Sequence, residues 1–449
     1  MTKFLEKINT FVWGAPALAL ILGVGLFLTV GLGFPQLRLF PKAMGLFVRK
    51  LLRRTGSESS FRCLCTALAA TVGTGNLAGV AGAICLGGPG AVFWMWVSGL
   101  LGMVTKYAEA TLAVRYQTSR NAERFGGPMY IITRGMGTRW LPLAKVYCLF
   151  GVLASFGVGN AAQINTLTTA LSGILSSFGG DREHLKLPLG LFLGVLVGAV
   201  LLGGAGFIGK AAEKLIPVAS VGYILLCAGV LILCFDRIPA AFWAIFQGAF
   251  SPKAVTGGML GSAFTALRMG CSRGVFTNEA GMGTAAIAHG GAVVDHPCEQ
   301  GLMGMVEVFL DTIVICTLTA LVILCSGVII PYGTDSGAAL TEQAFFLVLG
   351  RGASWFLTGA IGCFAFATIL GWGLYGARCL EFLLGFPAWK SFALAQCVMT
   401  FLAVRLETGP VWLIADSCNG LMAIPNLLTL AVLFPELRRL TIDYRKSGR

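Results

Sequence analysis

Charged residues are scarce in this chain, where they make up 12% of the 449 residues, against roughly a quarter in a soluble globular domain. Histidine occurs three times, at scattered positions, which excludes zinc sites built on closely spaced histidines. Neither a GxxxxGK[ST] phosphate loop nor an HExxH metal helix is present in the sequence. These shortages predict that the protein is not an enzyme and holds no cofactor.

Apolar residues dominate instead: they form 56% of the sequence, and the mean hydropathy is +0.81. They fall into runs long enough to cross a bilayer as helices, which takes about 20 residues. The sequence therefore predicts an all-α integral membrane protein with about eleven transmembrane helices. The predicted spans cover residues 11–34, 62–85, 89–115, 146–177, 187–209, 215–235, 240–270, 302–330, 353–378, 390–406 and 410–434.

Basic residues predict the orientation of these spans. Most of the 33 lysines and arginines lie in alternate loops, and the densest clusters follow the first and third spans. Since cytoplasmic loops carry the excess of lysine and arginine, we predict an external N-terminus and a cytoplasmic C-terminus. Residues 39–54 predict an amphipathic helix on the cytoplasmic membrane surface. Nucleic-acid binding is not expected, because the net charge of +13 is divided among separate loops.

The second span contains the polar stretch ATVGTGNLAGV, residues 70–80. Its glycines permit backbone angles that interrupt a helix, although Gly75 and Gly79 also have the spacing of a close-packing face. Five spans later, TGGMLGSA at 256–263 is a second glycine-rich stretch. Paired breaks in halves of opposite orientation predict an inverted five-plus-five repeat and the substrate site of a secondary transporter.

A zwitterionic amino acid and a cation suit such a break. Backbone N–H groups at the start of the second half-helix would meet the carboxylate, where the helix dipole is positive. Freed carbonyls of the first half, with oxygens from Thr71, Thr74 and Asn76, form an all-oxygen environment that suits a sodium ion.

Six motifs are spread through nearly the whole chain: GTGNLAGVAGAICLGGPGAVFWMWVSGLLGMVTKYAEATLAVRY (73–116), GGPMYII (126–132), FGVGNAAQINT (156–166), RGVFTNEAGMGTAAIAH (273–289), ATILGWGLYGARC (367–379) and LIADSCNGLMAIPNLL (413–428). In residues and order they resemble the alanine/glycine:cation symporters, a family of amino acid carrier proteins. The resemblance implies a leucine-transporter-like fold with one extra N-terminal helix. It also implies a bacterial inner membrane protein that imports small neutral amino acids, alanine and glycine, with Na⁺ or H⁺.

The same resemblance implies a binding site. Its substrate-binding residues would be Thr74, Gly75, Asn76, Gln163, Met259, Ser262, Thr368, Ile369 and Trp372. Bulky Ile369 and Trp372 would leave a small cavity, since overpacking costs about 1–3 kcal/mol. Its cation-binding residues would be Ala69, Thr71, Val72, Asn76, Phe364, Ala367 and Thr368. Ala367 stands where many relatives of this fold have a hydroxyl residue, which leaves the use of Na⁺ open.

Ionisable residues within the spans are candidates for coupling or gating. Asp311 is the candidate for coupling to H⁺, because an intramembrane carboxylate can accept a proton; the alternative is a packing or gating hydrogen bond. Glu279 and Arg273 belong to a polar motif that we expect at an intracellular gate. Lys106 and Glu109 lie three residues apart, so mutual pairing or an ammonium extended to the membrane surface is expected.

The predicted organisation has four parts: an extra N-terminal transmembrane helix with a basic amphipathic segment (1–60), two five-helix repeats (61–236 and 237–435) and a basic cytoplasmic tail (436–449). The predicted function is secondary active import by alternating access, carried out by a monomer in the lipid bilayer. A cation-independent carrier and a transporter-like sensor stay open as alternatives. A channel is less favoured, because two internal half-sites replace a continuous filter.

Overall fold

The computed structural model describes residues 2–53, 58–120, 123–176, 182–250, 263–404 and 408–447. Regular structure in these ranges is helical except for one hairpin of two short antiparallel strands, β1 (Thr118–Arg120) and β2 (Glu123–Phe125). Thr118 pairs with Phe125 at the open end of the hairpin. The predicted all-α class is therefore confirmed, with this hairpin as an addition.

Twelve of the described helices precede residue 235: α1 (Thr2–Val12), α2 (Ala15–Gly31), α3 (Pro35–Arg38), α4 (Phe40–Arg53), α5 (Glu58–Thr71), α6 (Val80–Gly87), α7 (Ala91–Arg115), α8 (Pro128–Ile131), α9 (Leu141–Phe156), α10 (Ala162–Ser176), α11 (Arg182–Leu202) and α12 (Gly204–Leu233). The amphipathic helix predicted over 39–54 is present as α4. It buries Ala43 and Leu46 against the core, while Lys42 lies over the ring of Tyr444.

The described helices that follow are α13 (Ile238–Phe250), α14 (Ala263–Asn278), α15 (Thr284–His289), α16 (Pro297–Val308), α17 (Thr317–Ser326), α18 (Ala338–Leu349), α19 (Arg351–Leu384), α20 (Ala388–Ala403), α21 (Thr408–Val432) and α22 (Phe434–Lys446). Four π-helical segments connect α-helices, at Gly75–Gly79, Ile132–Met136, Gly157–Ala161 and Phe309–Cys316, and short 3₁₀ turns occupy Thr138–Trp140 and Phe235–Arg237. The span predicted over 240–270 contains most of α13 and the first half of α14, and residues 251–262 between these helices lie outside the described residues.

Several helical stretches are long and apolar enough to cross a membrane. In the described ranges six qualify: Lys3–Gly31, Thr138–Thr168, Gly204–Leu233, Pro297–Ser326, Trp355–Leu384 and Leu413–Val432. A seventh is a bent pair, Ser60–Thr71 with Gly75–Gly87. Large apolar side chains such as Val218, Ile232 and Trp243 are exposed on the outer surface, as lipid contact requires. The chain is therefore a multi-pass membrane protein; the total of eleven spans stays a prediction.

Contacts along α14 give the relative direction of the two halves. Gly79 and Gly87, at the two ends of α6, lie against Thr277 and Ala266 of α14 in the opposite order, so α14 runs antiparallel to α6. Gly270 and Gly274 of α14 lie against Ala91 and Ser98 of α7 in the same order, so α14 runs parallel to α7. Helix α14 therefore runs opposite to the α5–α6 pair, as expected for inverted halves.

The basic segments meet at one end of the helices. Lys50, near the end of α4, donates to the Ser60 hydroxyl (2.5 Å). Gly291 lies beside both Arg124 of the hairpin and the Cys63 thiol at the start of α5. We call this end, where α4, the β1–β2 hairpin and the start of α5 come together, the basic end.

Candidate functional site

The helix that carries the first glycine-rich stretch is broken. Helix α5 ends at Thr71, and the two halves of the bent pair meet at 51°. The second half begins with a π-helical turn, Gly75–Gly79, a rare conformation that is frequent at functional sites. The predicted first break is therefore confirmed.

Asn76 holds this break in place. Its side-chain oxygen accepts a hydrogen bond from the Gly73 N–H (2.8 Å), and its amide nitrogen donates to Oδ1 of Asp311 (2.6 Å). The Thr312 hydroxyl donates to the other oxygen of Asp311 (2.8 Å). Asn76, Asp311 and Thr312 are buried, where a polar group without partners is costly. A hydrogen bond thus joins Asn76 and Asp311, which belong to different predicted five-helix repeats.

Thr74 and Gln163 are also in direct contact. The Thr74 hydroxyl donates to Oε1 of Gln163 (2.9 Å). Gln163 follows the π-helical turn Gly157–Ala161, and its amide nitrogen donates back to the Val158 carbonyl (3.3 Å). The π-helical turn between α9 and α10, together with Gln163, therefore forms a wall beside the first break.

Helix α19 packs against the same break. A Cβ added to Gly73 would lie 2.6 Å from the Thr368 hydroxyl, and one added to Gly371 would lie 2.8 Å from Cβ of Ala70. The Thr368 hydroxyl is buried and has no hydrogen-bond partner among the described residues. Because buried polar atoms nearly always have partners, this oxygen fits a ligand to a cation or a substrate.

Trp372 and Ile369 are fully internal. Trp372 lies against Gly159 so closely that this position has no space for a Cβ, and its indole N–H donates to Oε1 of Glu279 (2.9 Å). Ile369 is completely buried one turn away on α19. Trp372 is therefore an internal wall and not an aromatic anchor at the membrane surface.

A second break separates α14 from α15. Glu279, Gly281 and Gly283 all have left-handed backbone conformations, with φ of 53°, 95° and 82°. This region costs a non-glycine residue about 1–2 kcal/mol, so the surroundings must hold Glu279 in place. The sequence predicted the second break at 256–263. Residues 256–262, including Met259 and Ser262, lie outside the described residues.

Glu109 of α7 replaces hydrogen bonds that the helix loses at the second break. Its Oε1 accepts from the N–H groups of Gly281 (3.0 Å) and Gly283 (3.1 Å) and from the amide of Asn426 (2.6 Å). Asn426 also donates to the Gly281 carbonyl (2.9 Å). One buried carboxylate thus fixes the unwound backbone to two neighbouring helices.

Lys106 has a different partner from the one that its spacing suggests. Its ammonium forms a fully buried ion pair with Glu307 (2.7 Å), and the other oxygen of Glu307 lies 3.0 Å from Nε2 of His289. The expected alternatives of pairing with Glu109 or extending to the membrane surface are both wrong, because α16 brings a nearer carboxylate.

The two breaks adjoin one another. Phe276 and Thr277, at the end of α14, lie next to Gly75, and Asn278 donates through its amide to Thr312 (3.1 Å). These residues were missed as site residues. A signal was present, since two glycines spaced two apart with an asparagine within three residues of one of them occur in both GTGN (73–76) and NEAGMG (278–283).

Arg273 lies away from the basic end. Its guanidinium is 3.0 Å from Asp335, in the segment between α17 and α18, and Asp335 lies against Gly82 of α6. Helix α14 therefore approaches the breaks from the end opposite to the basic end, and the role of Arg273 in a gate stays a prediction. The stretch GCSRG, residues 270–274, has the GxSxG spacing of a serine nucleophile motif. It lies within α14 and not at the strand-to-helix turn that such a nucleophile requires.

Of the seven residues predicted for the cation, Asn76 lies in the π-helical turn of the first break. The other six lie on two facing segments: Ala69, Thr71 and Val72 at or directly after the end of α5, and Phe364, Ala367 and Thr368 on α19. All six are buried. The last carbonyls of a helix lack partners in the next turn, so those at the end of α5 are available to a ligand. The Thr71 hydroxyl donates back to the Ala67 carbonyl (3.2 Å).

Two interrupted helices of opposite direction, which meet at a buried polar centre within a multi-pass bundle, define the class of the protein. This is the architecture of a secondary transporter. Solved structures agree on the fold: the crystal structure of MhsT in complex with L-phenylalanine matches with a TM-score of 0.56 and 16% identity, over 85% of this chain and 97% of that one. The fold is leucine-transporter-like, as expected.

Sequence comparison gives the family. The pattern of the sodium:alanine symporter family matches residues 1–449. The sodium/alanine symporter AgcS of Methanococcus maripaludis is 44% identical over 96% of this chain and 94% of the relative. An uncharacterized transporter of Haemophilus influenzae is 42% identical over 98% of this chain and 96% of the relative. The chain belongs to the sodium:alanine symporter family and is a secondary transporter of amino acids.

Proposed function

We propose that this protein imports alanine and glycine together with Na⁺, by alternating access around the two breaks. The observation that carries the proposal is the meeting of both breaks at Asn76, Asp311 and Thr312. Buried polar groups from two half-helices are the arrangement in which carriers hold substrate and ion at the midplane.

The amino acid would lie beside the first break. Its carboxylate would accept from backbone N–H groups near Gly75 at the start of the second half-helix. Thr74 and Gln163 are close enough to share a hydrogen bond, and either could turn to the substrate instead. Trp372 and Ile369 are buried and would form the opposite wall, so a side chain larger than a methyl group would meet a tightly packed surface.

Na⁺ has two candidate positions. One lies between the end of α5 and the unpartnered Thr368 hydroxyl. The other lies at Asn76, Thr71 and Asp311, where a carboxylate adds a full negative charge near the first break. Oxygen ligands suit Na⁺ at both. Proton binding at Asp311 is the alternative coupling mode for the second position.

We also infer the orientation and organisation from the charge distribution. The basic end would face the cytoplasm of a bacterial inner membrane, with the N-terminus outside and the C-terminus inside. Segment 1–60 would precede two repeats, 61–236 and 237–435, and the tail 436–449 would remain cytoplasmic. Both breaks lie within a single chain, which supports function as a monomer.

The test is uptake of radiolabelled alanine by purified protein in liposomes. We expect uptake to be stimulated by an inward Na⁺ gradient and to fall to background when choline or K⁺ replaces Na⁺ at two external pH values. Stimulation by a proton gradient alone would assign H⁺ as the coupling ion. Uptake indifferent to both gradients would contradict symport, and the absence of counterflow by internal alanine would contradict a carrier.

A further inference from the structure

A cavity of about 260 Å³ lies at the basic end, apart from the residues of the two breaks. Its walls come from the start of α5 (Arg62, Thr66), strand β2 (Glu123), the start of α12 (Gly209), α15 (Ile287) and α19 (Arg378). The walls thus include both broken-helix segments, on α5 and α15, and the helices that face them.

The cavity lies on the line from the site to the basic end. Leu374, which lines it, is two residues beyond Trp372 on α19, and Thr66 is five residues before Thr71 on α5. At a rise of 1.5 Å per residue, the ten residues from Thr368 to Arg378 span about 15 Å. The cavity therefore begins about one to two helical turns from the site.

The β1–β2 hairpin covers the cavity and joins the two groups of helices. At its base, Gly126 packs against the backbone of Gly290, directly after α15. On its other side, Glu123 forms an ion pair with Arg378 of α19, and the guanidinium of Arg378 lies over the ring of Phe125 (4.6 Å). A relative movement of α15 and α19 must break one of these attachments.

The two attachments differ in strength. Gly126 and Gly290 meet through backbone with no space for a Cβ, whereas the Glu123 side chain is 46% exposed. An ion pair with one solvated partner contributes little stability. Arg378 keeps a second partner, since it lies 2.8 Å from Glu381. The Glu123–Arg378 contact is therefore the one that can open without leaving a buried charge unpaired.

We propose that this cavity is the exit chamber through which the amino acid leaves at the basic end, and that the β1–β2 hairpin is its gate, fastened by Glu123 and Arg378. The inference rests on the proposed transport function. Arginines and a glutamate around the chamber offer both signs of charge to a zwitterion. Opening would detach the hairpin from α19 while it stays packed on Gly290.

Cys63 lines the chamber and serves as a natural reporter of its opening. The experiment measures the rate at which a small methanethiosulfonate reagent labels Cys63 in the purified full-length protein, by peptide mass spectrometry, with Cys63→Ser as the background. In Glu123→Gln we expect labelling to be about fivefold faster than in the wild type, since a solvated ion pair shifts an equilibrium by that order. Glu123→Asp should restore most of the wild-type rate.

Glu436→Gln is the matched control, because Glu436 pairs with Arg115 (2.9 Å) at the same end and does not line the chamber. Its labelling rate should equal that of the wild type. Equal rates in Glu123→Gln and the wild type, in a protein that transports alanine, would overturn the gate. A wild type that transports neither alanine nor glycine would instead overturn the proposed function, whatever the labelling shows.

Discussion

The two breaks interrupt a helix in different ways. At the first break, a residue of the broken segment stabilises the unwound backbone, because the Asn76 side chain accepts a hydrogen bond from the N–H of Gly73, three residues earlier. At the second, three residues adopt left-handed angles, and a carboxylate from another helix, Glu109, accepts the N–H groups of two of them, Gly281 and Gly283. We infer that the first break is free to exchange partners with ligands, whereas the second is a fixed framework for it.

If the second break is a framework, loss of its support should have the largest effect on the molecule. Glu109→Ala leaves the N–H groups of Gly281 and Gly283 without an acceptor and removes one of the two acceptors of the Asn426 amide. Each buried polar group that loses its hydrogen-bond partner costs about 1–3 kcal/mol of stability. We therefore expect Tm to fall by more than about 10 °C and alanine uptake to be unmeasurable. Thermal unfolding in detergent and uptake in liposomes measure the two effects.

Glu109→Gln is the control for this variant, because it keeps an oxygen at the accepting position. It should recover most of the lost Tm. A Glu109→Ala protein with wild-type Tm would show that the second break supports itself and would remove the difference between the breaks.

Asn76→Ala should separate transport from stability at the first break. The variant loses the acceptor for Gly73 and the donor to Asp311, which also lie beside the proposed substrate. We expect a fall in alanine uptake of at least about a hundredfold, equivalent to about 2.7 kcal/mol, with a smaller Tm change than in Glu109→Ala. Normal uptake by correctly inserted Asn76→Ala would refute the assignment of the site.

Gly281→Ala tests the backbone strain at the second break alone. At φ +95° an added Cβ costs about 1–2 kcal/mol, so we expect Tm to fall by several degrees and uptake by about tenfold. Gly137→Ala is the matched control, since Gly137 has φ +103° and open space around it in a loop away from the breaks. It should lower Tm to a similar extent and leave uptake unchanged; equal uptake in the two variants would mean that the second break does not shape the site.

The difference between the breaks also explains what could be predicted from the sequence. The first break was found because its determinants, two glycines, threonines and an asparagine, are adjacent in one apolar run. The second break was predicted at 256–263, and residues 256–262 lie outside the described residues. The break between α14 and α15 was not predicted, because its support comes from Glu109 and Asn426, which are distant in sequence. The polar motif around Glu279 predicts a gate, and that role stays a prediction.

The predicted pairing of Lys106 was also wrong because the partner is distant in sequence. Spacing along one helix suggested Lys106 with Glu109, but tertiary packing gave each a partner from another helix. The β1–β2 hairpin was not expected either, since two strands of three residues carry almost no periodic signal. Sequence patterns within one helix predicted a structural feature where a single segment supplies all of its determinants. They did not predict features that form where several segments pack together.

The smallest effect on stability is expected for Thr368→Val, which separates a ligand from a structural group. The Thr368 hydroxyl has no hydrogen-bond partner in the described part of the chain, and valine keeps its shape, so Tm should stay unchanged or rise slightly. If this oxygen binds Na⁺, its loss should raise the Na⁺ concentration for half-maximal uptake by about tenfold, equivalent to about 1.4 kcal/mol.

Thr429→Val is the control, because the buried Thr429 hydroxyl donates to the Pro425 carbonyl. That variant should lower Tm and leave the Na⁺ dependence intact. The reverse result, a lower Tm and unchanged Na⁺ dependence in Thr368→Val, would make Thr368 a packing residue and move the ion to Asn76 and Asp311.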